Sequence, residues 1–331
     1  MGAGSGPIEK LEQAAARAGI EAGDFARLRA EVFADGRVCR GEAERLLALD
    51  GEALSTCREW TAFLVEAVSD LIVHQEKPAG YISEANAAWL IDATARARPA
   101  TELELLVAVL ERARTSPASL SAHALERVAD AVTDGVLRMP DGRMLVPGVI
   151  GKAEVDLLRR ILYAFGGGAG IGISREEAEV LFDLNDRTAD ASNHPEWTEL
   201  FVKAMANFVM CASGYAPPTR EEALRHEAFL DAAAIDVGGF LRRMVSVGAG
   251  GILAAYRAPT GIEAAWRIRN AERSEAAARA EAIDADEAAW LVDRITRDRV
   301  IHDNEKALLA FIGRESPMIH PAIRDLIDKV A

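Results

Sequence analysis

Apolar residues recur along this chain at helical spacing, and strand-like alternation is almost absent. Ile20, Phe25, Leu28, Val32 and Phe33 form one stripe, which Asp35-Gly36 ends. A second helix is predicted from about Arg40 to Leu49, with Asp50-Gly51 as its break. Trp60, Phe63, Leu64, Ala67, Leu71 and Ile72 share one face of a longer helix that stops at Lys77-Pro-Ala-Gly80. Ser83 reads as the N-cap of a helix carrying Trp89, Leu90 and Ile91. Pro99 breaks that helix, and Thr101-x-x-Glu104 is a capping-box pattern ahead of Leu105, Leu106, Val109 and Leu110. Another helix starts at Ser119 or Ser121 and runs through Val132. Pro140-Asp-Gly142 between two short apolar runs then signals a β-hairpin near 136–146, the one place where strands are expected.

The pattern repeats. Ile20, Ile150 and Ile283 each precede an acidic residue four positions on, namely Asp24, Glu154 and Glu287. Each is followed by a second turn: Val38 with Glu42, Ile173 with Glu177, Ile301 with Glu305. Ile82 opens a fourth copy, in which Ala87 to Asp92 (A-A-W-L-I-D) matches Ala288 to Asp293 (A-A-W-L-V-D), and Glu104 stands against Glu305. R-G-E-A-E-R-L-L-A-L-D leads to Glu59-Trp60, and R-E-E-A-E-V-L-F-D-L-N leads to Glu196-Trp197. Gly80-Tyr81 recurs as Gly214-Tyr215. The expected fold is therefore all-α: tandem duplicated helical-hairpin modules with one small hairpin between them. The division expected is a flexible tail at 1–18, a first module at 19–147, a second at 148–260 and a partial third at 261–331. Trp60, Trp89, Trp197 and Trp290 fall at recurring positions, as core residues would.

Composition narrows the function. The formal charge of -14 over 331 residues argues against nucleic acid, whose phosphates such a surface repels. Cys39, Cys57 and Cys211 are too few and too scattered for a disulfide framework or a zinc site, which fits a reducing, cytoplasmic setting. The start at Met1 lacks the basic and apolar regions of a signal peptide. No apolar run is long enough to cross a membrane; Met244 to Tyr256 is short and holds four glycines.

Candidate chemistry is sparse. The turn Asp35-Gly-Arg-Val38 with Glu42 resembles the second half of an EF-hand loop, where glutamate closes a calcium shell. The front half departs from that pattern, with Phe33 at a ligand position between Glu31 and Asp35. The alternative is that Glu42 serves the free N–H groups of a helix start. Asp183, Asn185 and Asp190 form a second oxygen-rich run, either a cation loop or a polar connection before the Trp197 helix. Gly166 to Gly172 follows a helix and lacks a P-loop lysine, so it reads as a turn. The six histidines show no metal-ligand spacing, and no nucleophile motif is present. No catalytic or cofactor-binding residue is assigned.

The same turn, Asp35-Gly36-x-Val38-x-x-x-Glu42, resembles that of the TerB-like domains of tellurite-resistance proteins over about thirty residues per copy. That resemblance implies a helical bundle, stress-response or scaffold associations, and divalent-cation binding by acidic loops; the second copy lacks the Asp-Gly. The leading expectation is a non-enzymatic cytoplasmic scaffold holding a protein partner, a second copy of itself or a small ligand. A calcium-type sensor or buffer is the alternative, and an enzyme with a site between modules is the third.

Overall fold

A computed structural model describes residues 19–21, 37–164, 173–210, 285–316 and 319–330. The stripe at 22–33, Asp35, Cys211, Gly214-Tyr215, the glycine run 166–172, the span 244–256 and Ile283 lie outside the described residues. So does the tail at 1–18. The described fold is all-α apart from one two-stranded hairpin. Its helices are α1 (Arg40–Glu52), α2 (Arg58–Asp70), α3 (Glu84–Thr94), α4 (Pro99–Arg112) and α5 (Ala118–Asp134). After β1 (Leu137–Arg138) and β2 (Met144–Leu145) come α6 (Lys152–Leu162), α7 (Arg175–Arg187) and α8 (Pro195–Met210). The last three are α9 (Ala285–Thr296), α10 (Asp303–Glu315) and α11 (Pro321–Val330). A π-helical turn, Leu71–Gln75, extends α2. No helix among the described residues is long and apolar enough to cross a membrane.

The described helices fall into four units that stack alike: units 2 to 4 have three helices each, and in unit 1 α1 and α2 hold the places of the second and third helices. Unit 2 shows the plan: Ile82, then α3, α4, a short extended link at Thr115, and α5. The Ile82 N–H donates to the Thr115 carbonyl at 3.0 Å. Unit 1 repeats the bond between Ile20 and Ser55 (2.8 Å); in unit 3 the direction is reversed, the His194 N–H donating to the Ile150 carbonyl (2.7 Å). All three isoleucines are buried. Stacking follows one rule: the third helix of a unit packs on the second helix of the next. This gives α2 on α4, α5 on α7, and α8 on α10. The first helix of each unit also meets the second helix of the unit before, as α3 meets α1 and α6 meets α4. Each unit thus buries its apolar face on a neighbour. Helices α9 to α11, beyond the boundary expected at 260/261, share their core with α7 and α8 through Trp290, Phe182 and Phe208.

Core positions recur with the units. The third residue of each third helix is Trp60, Leu120, Trp197 or Ile323, all fully buried. The fourth and eighth residues face the next unit. They are Thr61 and Val65, Ser121 and Leu125, Thr198 and Val202 in the first three units. In α11 they are Arg324 and Asp328, both exposed.

Several helix ends differ from the sequence expectation. The break expected at Asp50-Gly51 falls at the end of α1, which closes at Glu52; an added Cβ on Gly51 would sit 2.0 Å from the Arg96 carbonyl oxygen, so the glycine also permits close approach. Helix α4 begins at Pro99, with proline at its first position, so Thr101 and Glu104 are interior and Glu104 faces Arg160 instead of capping. Helix α5 begins at Ala118. Helix α7 runs to Arg187, which puts Asp183 and Asn185 on a helix, with only Asp190 in the following connection. The hairpin forms where expected and is tied down by buried Glu154, which accepts the Val146 and Gly151 N–H groups at 2.9 and 3.0 Å.

Candidate functional site

The recurring glutamate of the turns serves the chain's own backbone. Glu42 accepts the Cys39 N–H (2.9 Å), Glu177 the Ser174 N–H (2.8 Å) and Glu305 the His302 N–H (2.7 Å). Each sits at the third helical position, where it satisfies an orphan donor and faces the positive helix end.

Because the three seams between units are equivalent, their differences stand out. At the first seam, buried Asp50 accepts from the Trp60 indole and from the Arg98 N–H, each at 2.9 Å. Arg98 also donates to the Asp50 and Ala53 carbonyls. The Trp89 indole donates to Glu44 (2.7 Å), and the Arg40 guanidinium lies 4.9 Å over its ring. The second seam is aliphatic at the matching positions: Leu103, Val107, Leu110, Leu157 and Ile161 are fully buried. Arg160 binds Glu111 at its edge, and Ser121 of α5 hydrogen-bonds buried Glu177 of α7 across it.

The third seam keeps the outline of the first and adds charge. Trp290 donates to Glu179 as Trp89 does to Glu44, and Arg175 lies 5.8 Å over its ring. Where the earlier seams carry Ala93 and Ile161, α9 carries Arg294, with 1% of its side chain exposed. Where they carry Ala48 and Gly51, or Val107 and Leu110, α7 carries Asp183 and Asp186. Arg294 reaches Asp183 at 2.6 Å, Glu179 at 3.1 Å and Asp186 at 3.5 Å, and it lies 5.2 Å over Phe182. Its Nε is buried without a partner. Beside it, Asn185 replaces Asp50. The Asn304 amide donates to Asn185 (2.7 Å) and accepts from Thr198 (2.6 Å). The Trp197 indole N–H and the Asn185 amide nitrogen are left buried without acceptors.

This seam also perturbs its acids. Burial pushes Glu305 up to about 7, against the His302 N–H, with Asp186 adding to the rise. Burial raises Asp186 as well, against the pull of Arg294. The hydrogen bond to Asp298, at 2.8 Å, raises His302, while the Val300 N–H and His302 lower Asp298. Burial likewise raises Glu177 at the second seam.

Of the oxygen-bearing residues marked in the sequence, Asp183 and Asn185 stand on one helix two positions apart and face different partners, Arg294 and Asn304. Asp190 is exposed beyond the helix end, and Glu42 lies in unit 1. Among the described residues no group of three or more His, Cys, Asp or Glu is placed to hold a metal ion. Among the described residues, cavities that open to solvent include two lined by charged side chains. One, of about 610 Å³, lies along α6 between Glu111, Arg159, Arg160 and Tyr163. The other, of about 300 Å³, lies under the hairpin between Glu102, Arg127, Asp130 and Leu137.

Sequence reasoning passed over Arg294. The signal was available: aligning A-A-W-L-I-D-A with A-A-W-L-V-D-R puts an arginine at a core alanine position. The chain matches no protein-family model, no curated protein and no solved structure.

Proposed function

We propose that this chain is a non-enzymatic helical-repeat scaffold that holds a protein partner along its stacked units, working in the reducing cytoplasm. The supporting observation is the threefold recurrence of one stacking contact, α2 on α4, α5 on α7 and α8 on α10. An array built this way spreads its exposed helix faces over several units, a surface suited to an extended partner. The Asp35 to Glu42 turn, with its likeness to TerB-like domains, agrees with a scaffold role. The test is partner capture with the purified full chain, followed by hydrogen exchange of the isolated complex. Protection spread over exposed helix faces of at least two units supports the reading. Protection confined to one cavity, or turnover of a small substrate by the chain alone, refutes it.

A further inference from the structure

The three seams use the same helix pairs, yet the third is filled with groups that exchange protons. We propose that the seam between units 3 and 4 is a proton-controlled joint, closed by proton uptake at mildly acidic pH and loosened by proton loss above neutrality. The proposal concerns the joint itself and holds whatever the array binds.

The geometry supplies more carboxylates than cations. Arg294, buried on α9, serves Glu179, Asp183 and Asp186 of α7. Asp186 in turn faces Glu305 at the start of α10, along with Asp298 and His302 of the α9–α10 connection. Arg297 stands 3.9 Å from Asp183 at the edge. From α8 the nearest contribution is uncharged: Thr198, acting through Asn304. Glu305 is 2% exposed, so its charge meets Asp186 and Asp298 without full hydration. Neither earlier seam repeats the arrangement, since Ala48, Gly51 and Ala93, or Val107, Leu110 and Ile161, occupy the positions of Asp183, Asp186 and Arg294.

The signs agree. Glu305 and Asp186 bind protons more tightly in the closed seam, so their contribution is present at low pH. It is lost as pH rises from the ordinary carboxyl value through the raised one. His302 is also raised, but first by its bond to Asp298 four residues away in the same connection, so that shift persists when the seam opens. Asp298 has the opposite sign, but its value is lowered, so its contribution disappears only in stronger acid. Glu305 sets the window, since its contribution is lost as pH rises from 4.5 to about 7, and Asp186 acts with the same sign. For a carboxyl that ionises at about 7 when closed and 4.5 when open, linkage raises the opening constant roughly 30-fold from about pH 5.5 to 8.5. Discounting for solvent screening leaves about tenfold.

Hydrogen exchange of the full chain at three pH values across that range, corrected for intrinsic rates, tests this. The expected result is an opening constant in α9 and α10 that rises about tenfold with pH, against a flat trend in α1 to α3. Glu305→Gln keeps an acceptor for the His302 N–H but does not ionise, so it is expected to reduce the rise to under about threefold. Asp186→Asn, at a more exposed position, provides the same test if the first variant does not fold. A rise of equal size in α1 to α3, or an undiminished rise in the folded variants, overturns the proposal.

Discussion

Arg294→Met is the most informative single change. The arginine side chain is 1% exposed and has three carboxylate partners, so its loss strands their charge. Removing one member of a fully buried ion pair costs about 3–5 kcal/mol. Here Asp183, Glu179 and Asp186 are 47%, 38% and 32% exposed and regain part of their hydration. The expected loss is therefore about 2–3 kcal/mol. Methionine follows the arginine stem, which keeps the cavity contribution small. The decisive comparison is the triple variant Arg294→Met, Asp183→Ala, Asp186→Ala, which gives the third seam the apolar character of the others. It is expected to return to within about 1 kcal/mol of the parent, because burying apolar groups replaces a desolvated ion cluster. Urea denaturation followed by circular dichroism measures both, with hydrogen exchange to place the loss in α7 and α9. The reasoning fails if Arg294→Met lies within about 0.5 kcal/mol of the parent, or if the triple variant is less stable than the single one.

Two other expectations use the repeat as its own control. Trp60→Phe removes a 2.9 Å bond and leaves buried Asp50 short of a donor, whereas the Trp197 N–H has no partner to lose. In denaturant titrations Trp60→Phe should therefore cost about 1–2 kcal/mol more than Trp197→Phe; equal losses would refute the assignment. Arg324→Leu with Asp328→Leu gives α11 an apolar face of the kind that binds the next unit. Light scattering after gel filtration should then show concentration-dependent self-association, and a double variant that stays at the parent's mass would show that α11 is not a polar cap.

The repeat was legible because core residues recur: Ile20, Ile82 and Ile150, and the paired tryptophans, stand where the same packing problem is solved again. The finer period of four units was harder to see. In unit 2 the Asp-Gly turn and its glutamate are replaced by a proline helix start at Pro99, and in the second module the matching halves stand far apart in the sequence. Gly51 reads as a helix end, which α1 reaches one residue later at Glu52, and it is also the clearance that the Arg96 carbonyl needs. Acidic runs mislead where tertiary contact decides. Asp183 to Asp190 looked like an oxygen-rich loop, because acids crowded on one stretch read as solvent-facing until their buried cation is known. That cation is 111 residues from Asp183, and no local pattern links the two.

The order of assembly follows from how far apart the partners lie along the chain. The ties of the first seam span 45 to 48 residues, as in Trp89 with Glu44 and Arg98 with Asp50. Those of the last span 106 to 119, as in Thr198 with Asn304 and Asn185 with Asn304. Closer partners meet sooner, and the amino-terminal half also leaves the ribosome first. During synthesis α1 to α5 thus complete their seam while α7 and α8 still await α9 and α10, and Phe182 and Phe208 wait that long for their contact with Trp290.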